Sequence, residues 1–190
     1  MKKKIALLMA CVMAFGIAVG GTLAWLTDKT GDVVNTFTPS TISITLTEEK
    51  PVSQTAKMIP GFTIEKDPKV TVAANSEDCY LFVKVTESAN YDDFMTYAVD
   101  NTIWTELTGV EGVTGVYYRE VTASTADQPF YVLKDNKVTV KDDVTKSDMT
   151  TLTANPTLAF KAAAIQLYST NGTKFDVSVA YNNLPAEFKA

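Results

Sequence analysis

The sequence predicts an all-β domain of the β-sandwich or related barrel class. After residue 40 the chain is arranged in short runs, rich in Thr and Val, in which apolar and polar residues alternate. Gly, Pro, Asn and Asp separate these runs, and helical periodicity is scarce. Alternation interrupted by turn residues at short intervals is typical of antiparallel sheets. The 166 residues that remain of the 190 after a 24-residue signal peptide suffice for one domain with its own core.

The first 24 residues are predicted to be a removable signal peptide. Lysines at positions 2–4 form a basic region, and the apolar stretch 5–19 follows it. Small residues at Thr22 and Ala24 fit the pattern that signal peptidases accept, which places cleavage after Ala24, with the bond after Trp25 as an alternative. An uncleaved anchor is a further alternative, because the apolar stretch is just long enough to cross a bilayer.

The predicted mature chain is acidic and contains a single cysteine. Cleavage removes three lysines and no acid, so 17 basic side chains become 14 against 22 acidic ones, and the net charge changes from −5 to −8. Such a surface repels phosphate backbones, so nucleic acid is not expected as a partner. Cys79 cannot form an internal disulfide, and its place on an apolar strand face predicts a buried, unreactive thiol.

The first half of the domain contains the clearest predicted strands. In Thr41–Thr47, the residues Ile42, Ile44 and Leu46 share one face, which is predicted to be buried. The segment Cys79–Glu87 is apolar on both faces, which predicts a central strand. Further strands are predicted at Val70–Val72, Thr102–Leu107, Val116–Val121, Phe130–Lys134 and Lys137–Lys141.

Turns and ambiguous segments follow in the second half. Asp135-Asn136 separates the last two predicted strands and predicts a two-residue hairpin turn of the primed type. The polar segment Asp142–Met149 is expected to be an exposed loop or a single helical turn. Leu158–Tyr168 suits a helix by its alanines and a strand by its alternation. Asn171-Gly172 marks a turn, and Phe175–Asn182 is expected to be a short helix or a strand.

The sequence contains no histidine. This excludes Ser-His-Asp and Cys-His nucleophilic sites and the H-E-x-x-H zinc motif, so no catalytic residue, metal site or cofactor is predicted. The carboxylate pairs Asp92-Asp93 and Asp142-Asp143 lack the spacing of a calcium-binding loop and are expected to be solvated. A glycosidase built on two carboxylates stays open, because no sequence spacing excludes one.

The cleavage region carries a specific resemblance. Gly20–Asp28 reads G-G-T-L-A-W-L-T-D, and Asn35–Thr38 reads N-T-F-T. The chain here resembles the TasA-like, camelysin-related family of Gram-positive bacteria, whose junction is read by a dedicated signal peptidase. Pro39-Ser40-Thr41 departs from the family pattern, which usually has a glycine turn at this place.

The resemblance extends over most of the mature chain. It includes Ile59–Pro68, Tyr80–Val85, Val116–Tyr118 and Phe160–Gln166, the last of which looks like a late strand of the family. The resemblance therefore predicts that Leu158–Leu167 is a strand, against the helical preference of its alanines.

The resemblance implies a jelly-roll-like sandwich in residues 41–190, secreted to the extracellular matrix or cell surface as a structural subunit of biofilm fibres. It also implies that the N-terminal segment, residues 25–40, adds a strand to a neighbouring copy, which gives a head-to-tail homopolymer. An accessory matrix protein is a further candidate partner. The apolar residues available for this donor strand are Trp25, Leu26, Val33, Val34 and Phe37.

Two alternative functions stay open at this point. Part of the family is described as metallopeptidases, but a chain without histidine gives that activity no support. A monomeric surface adhesin or carbohydrate-binding sandwich is equally compatible with the predicted fold.

Overall fold

Ten β-strands and four short helices make up residues 41–49 and 58–190, the part of the chain that the computed structural model describes. All strand pairings are antiparallel, which confirms the predicted all-β class. Residues 39–190 form one compact unit. None of the helices in the described residues is long and apolar enough to cross a membrane. The predictions for the signal peptide, its cleavage and the donor strand fall on residues 1–40, outside the described part.

The strands lie in three hydrogen-bonded sheets, in the orders β1-β3-β8, β2-β9-β5 and β10-β4-β7-β6. The strands are β1 (Ile44–Glu48), β2 (Thr63–Glu65), β3 (Pro68–Val72), β4 (Cys79–Glu87), β5 (Met95–Val99), β6 (Thr105–Glu106), β7 (Val116–Val121), β8 (Gln128–Tyr131), β9 (Leu133–Val140) and β10 (Leu158–Gln166). The helices are α1 (Tyr91–Phe94), α2 (Lys146–Thr150), α3 (Val177–Asn182) and α4 (Ala186–Lys189).

The two three-stranded sheets are continuous with each other. The backbone N–H of Lys66 donates to the carbonyl of Asn136, and that of Val132 donates to the carbonyl of Pro68, both at 2.9 Å. These bonds bridge the breaks between β2 and β3 and between β8 and β9. We call the resulting six-strand sheet layer A, and the four-stranded sheet layer B.

Strand β4 is the centre of the fold because both of its faces are buried. Leu81 and Val83 face layer A, where they pack against Val70 and Val72 of β3. All four side chains are at most 1% exposed. Burying an aliphatic side chain of this size stabilises the folded state by about 1.5–3 kcal/mol. The predicted central position of this strand and its two predicted faces are confirmed.

The opposite face of layer B is covered by the C-terminal helices. Tyr80 and Phe82 of β4 pack against Tyr181 of α3 and Phe188 of α4, with ring centroids of Phe82 and Tyr181 6.0 Å apart. The α3 helix begins at Asp176, whose side chain accepts a hydrogen bond from the backbone of Ser178 at 2.8 Å. Layer B is therefore apolar on both faces.

The hairpin predicted at Asp135-Asn136 does not form, so that prediction is wrong. Both residues do take the left-handed conformation that a primed turn needs, with φ of 56° and 53°. However, β5 pairs with β9 on both sides of them, at Leu133 and at Val138, in the same antiparallel direction. The chain therefore does not reverse, and the two residues form a bulge within one strand.

The strand predicted over Thr102–Leu107 is also wrong for its first half. The carboxylate of Asp100 accepts hydrogen bonds from the backbone and the hydroxyl of Thr102 at 3.0 and 2.6 Å, and the carbonyl of Asp100 accepts one from the backbone of Trp104 at 2.9 Å. These bonds close a turn, which leaves only the two residues of β6 extended.

The ambiguous segments are resolved by their surroundings. Leu158–Gln166 is the strand β10, as the resemblance predicts, because its whole length pairs with β4. The segment after Asp142 contains one helical turn, α2, which begins with a capping box between Thr145 and Asp148. The last ambiguous segment, Phe175–Asn182, forms the helix α3.

Candidate functional site

The two long sides of the sandwich differ in how they are closed. On one side the outermost strands of the two layers are β5 and β6, which the chain connects directly through the turn at Asp100–Trp104. On the other side the outermost strands are β1 and β10, which are far apart in sequence. Only the first side is closed by a direct connection.

Two side chains, Trp104 and Arg119, make contacts between elements on the closed side. The indole of Trp104 is buried and donates to the carbonyl of Tyr131 at 2.8 Å, which ties the turn to layer A. The guanidinium of Arg119 on β7 lies 3.8 Å from the ring centroid of Phe130 on β8. Burial lowers the pKa of this guanidinium, and its hydrogen bond to the carbonyl of Ile103 holds it in place.

On the opposite side no described strand joins the two edges, and we call it the open side. The side chains that face the interior from its two edge strands are only partly buried, although they belong to the face that forms the main core. The residues that define the open side are Ile42, Ile44 and Leu46 on or next to β1 and Phe160, Ala162 and Ala164 on β10.

Burial falls abruptly from the central strands to the open side. Leu46 lies directly across from Val70 of β3, which is fully buried, yet Leu46 is 39% exposed. On the other layer Ala162 lies across from the fully buried Val83 of β4 and is itself only partly buried. The inward-facing side chains of the two edge strands are therefore partly exposed on the open side, although the inward-facing residues of the central strands beside them are buried.

The backbone of the open side is also available for pairing. Within the described residues, β1 pairs only with β3, and β10 pairs only with β4. The two edges come within 8 Å of each other between Cα atoms but form no ladder. An edge strand with free N–H and C=O groups next to an apolar face is a template for another strand.

One end of the open side is polar. The ammonium of Lys66 lies 3.1 and 3.3 Å from the two carboxylate oxygens of Glu48, the last residue of β1. The same ammonium lies 5.4 Å from the ring centroid of Phe160 on β10. Lys66 thus contacts both edges of the open side at this end.

A separate apolar corner precedes β2. The backbone N–H of Phe62 donates to the carbonyl of Ile59 at 2.9 Å, and Gly61 takes φ of 75°, which closes a type II turn with Pro60 at its second position. Ile59 and Phe62 are 51% and 52% exposed. This corner is a second exposed apolar feature, and it directly precedes β2.

The acidic pairs lie around one lysine. Asp92 and Asp93 line a depression of about 420 Å³ together with Lys141, and Asp142 and Asp143 line a neighbouring one of about 330 Å³ that includes the same lysine. The Lys141 ammonium donates to the carbonyl of Asp92. Across the described ranges, no three acidic or cysteine side chains are close enough to hold a metal ion.

The sequence-based site predictions and the open side involve different residues. Thr22, Ala24 and Trp25, predicted for cleavage, and Leu26, Val33, Val34 and Phe37, predicted with Trp25 for the donor strand, all lie outside the described residues. The sequence did not single out Lys66, Glu48 or the alanines of β10. The alternation of Leu158–Ala164 with small residues was the available signal, since small side chains facing a core leave it open.

Comparison with protein-family models, with curated proteins and with solved structures finds no match for this chain. Its function is therefore inferred from its own residues and geometry.

Proposed function

We propose that the chain is a secreted structural subunit of extracellular fibres, in the biofilm matrix or on the cell surface. In this proposal the N-terminal segment of one copy, released by a dedicated signal peptidase, pairs with the open side of the next copy. Because donor and acceptor are different surfaces, such contacts repeat head to tail and give a filament.

The open side is the single observation that carries the proposal. It combines edge backbone that pairs with no further described strand and partly exposed inward-facing side chains, the two features that strand addition uses for affinity and specificity. Leu46 of β1 and Ala162 of β10 face inward next to fully buried residues and are themselves partly exposed. An added strand would bury these side chains and satisfy one row of backbone groups.

The N-terminal segment has a suitable composition. Residues 25–37 contain five large apolar side chains and no proline, so the segment can be extended and can donate along its length. It is short and interrupted by polar residues, which disfavours a hairpin of its own. Burying one such side chain between the layers would contribute about 1.5–3 kcal/mol to association.

Electron microscopy of the mature protein tests this proposal. We expect filaments from residues 25–190 and only monomers after residues 25–37 are deleted. Leu46→Lys should also prevent filaments, because it places a charge on the inner face of the acceptor edge. The matched control is Thr45→Lys, one residue away on the outer face of the same strand, which should still form filaments.

The contradicting results are equally specific. Filaments that persist after the deletion would contradict strand addition at the open side. Equal effects of Leu46→Lys and Thr45→Lys on filament formation would contradict it as well. A chain that stays monomeric under all conditions would favour the surface adhesin or carbohydrate-binding sandwich. Proteolysis that a chelator abolishes would support the metallopeptidase instead. A need for an accessory matrix protein would appear as filaments only when that protein is added.

A further inference from the structure

A partly buried ion pair faces the interior at one end of the open side. Glu48 lies directly across from Pro68, in the alternation that also places Ile44 and Leu46 on the inner face. The side chains of Lys66 and Glu48 are 16% and 26% exposed. Inward-facing charge at an edge strand is a known means of preventing unwanted strand pairing.

Lys66 connects the two layers across the open side. Its ammonium binds Glu48 of layer A and lies over the ring of Phe160 of layer B. Phe160 packs against both the main core and the neighbouring cluster that contains Tyr91 and Leu133. Separating β1 from β10 at this end would break the ion pair, the cation–π contact or both.

The backbone of Lys66 is held independently of its side chain. Its N–H donates to the carbonyl of Asn136, within the bulge of β9. The left-handed residues of that bulge place this carbonyl beside the break between β2 and β3. The lysine therefore projects from a fixed point of layer A.

We infer that Lys66 is a latch that ties β1 to β10 and sets the end of the acceptor surface for an incoming strand of a second copy. This inference rests on the proposed strand addition for its partner. The segment from Ile42 to Leu46 stays open to the added strand, whereas pairing stops before Glu48 and Phe160. An apolar side chain placed there would have to displace the ammonium or desolvate the ion pair.

Lys69 provides a matched control within the same strand region. It pairs with Glu49 and lies 5.6 Å from the ring centroid of Tyr131, so it makes the same two kinds of contact. Its contacts lie on the outer face of layer A, because Lys69 pairs with Thr47 and Tyr131 on the face opposite Val70. Lys69→Met therefore removes equivalent interactions without touching the open side.

Amide hydrogen exchange on the full chain, at concentrations where electron microscopy shows no filaments, tests the latch. In Lys66→Met we expect exchange to become about fivefold faster at the Glu48 end of β1 and at the Phe160 end of β10 together. Lys69→Met should affect β1 and β3 but not β10. Lys66→Arg keeps the cation and should restore the exchange rates of the original chain.

Equal effects of Lys66→Met and Lys69→Met on β10, or no restoration by Lys66→Arg, would overturn the latch. In filaments, Lys66→Met should extend protection from exchange to Glu48 and Phe160, and unchanged protection there would overturn its role as the end of the acceptor. If no variant and no original chain forms filaments, strand addition fails, while the exchange comparison still decides whether Lys66 ties the two edges together.

Discussion

The thiol of Cys79 lies in a part of the core from which water is excluded. The residue is fully buried at the start of the strand. Burial, with a smaller effect from the carboxylate of Asp78, raises the pKa of the thiol from 9.0 to about 11. The thiolate is the reactive form, so the prediction of an unreactive cysteine agrees with its surroundings.

Because the pKa of this thiol is raised in the folded chain, the free energy of unfolding falls as the pH rises. In the unfolded chain the thiol loses its proton near pH 9, whereas the folded chain keeps it up to about pH 11. The contribution of the protonated thiol to the free energy of unfolding is fully present below pH 9. It is lost as the pH rises, at about 1 kcal/mol per pH unit. We expect urea unfolding of the original chain to show this loss between pH 9 and 10.

Cys79→Ala should unfold with a shallower dependence on pH over the same interval, because the titrating group is gone. The tyrosines titrate in both chains, so their contribution to the pH dependence drops out when the two slopes are compared. Identical slopes for the two chains would mean that the thiol ionises in the folded state as easily as in the unfolded one.

Single residues also show which structural features can be predicted from the sequence. The alternation of Ile42, Ile44 and Leu46 predicted correctly that they share the face opposite Thr45. It could not predict that Leu46 would be exposed, because burial on an edge strand depends on what lies beyond the edge. The contacts of Lys66 could not be predicted for the same reason. Its two partners, Glu48 and Phe160, come close to it only through the packing of the layers.

At the scale of elements, the bulge in β9 has the backbone conformation that the sequence predicted but not the predicted reversal of the chain. Asp135 and Asn136 have the left-handed preference that the sequence indicated. Pairing with β5 on both flanks of the bulge keeps the chain running in one direction. A local signal therefore identified the conformation correctly, while the partners of the strand decided the topology.

The bulge gives a prediction for its own substitutions. Asn136→Gly should leave the stability unchanged or raise it by about 0.5 kcal/mol, because glycine accepts a positive φ and the substitution removes a buried side-chain oxygen without a hydrogen-bond partner. Asn136→Val should lower it by about 1–2 kcal/mol, since a β-branched side chain is strained at that φ.

Chemical denaturation of the two variants measures both values. The substitution Lys134→Val, two residues earlier at an exposed position, is the control for adding a β-branched residue. A similar loss for Asn136→Val and Lys134→Val would show that the left-handed conformation is not what makes the position sensitive.

The β10 strand shows the opposite relation between local signal and context. Its alanines favour a helix, but nine consecutive residues pair with β4. The side chains that face the core include Ala162 and Ala164, which are small and only partly buried, whereas the neighbouring Leu81 and Val83 of β4 are fully buried. The same composition that made the segment ambiguous in the sequence therefore places small, partly exposed side chains at this edge.

For the whole molecule, the proposed strand addition would give the asymmetry between its two long sides a functional role. A sandwich with both sides closed offers no place for an added strand, and one with two open sides would branch or aggregate. Here the chain itself closes one side through the turn at Asp100–Trp104. If the open side is the acceptor, one acceptor and one N-terminal donor per copy would restrict growth to one dimension.

Net charge sets the conditions for this growth. After the predicted signal cleavage, 14 basic side chains would face 22 acidic ones, so every copy would carry a net charge of −8 and repel the next. The Debye length falls from about 30 Å at 0.01 M ionic strength to about 8 Å at 0.15 M, which screens repulsion between whole subunits. The apolar contacts at the open side do not depend on such screening.

Filament formation should therefore become faster, and its critical concentration lower, when the salt concentration rises from 0.01 to 0.15 M. Light scattering and sedimentation of the residual monomer measure the two quantities. The chain without residues 25–37 should stay monomeric at both salt concentrations, which separates strand addition from salt-induced precipitation. Slower assembly at higher salt would show that attraction between charged groups, rather than burial of apolar side chains at the open side, drives association.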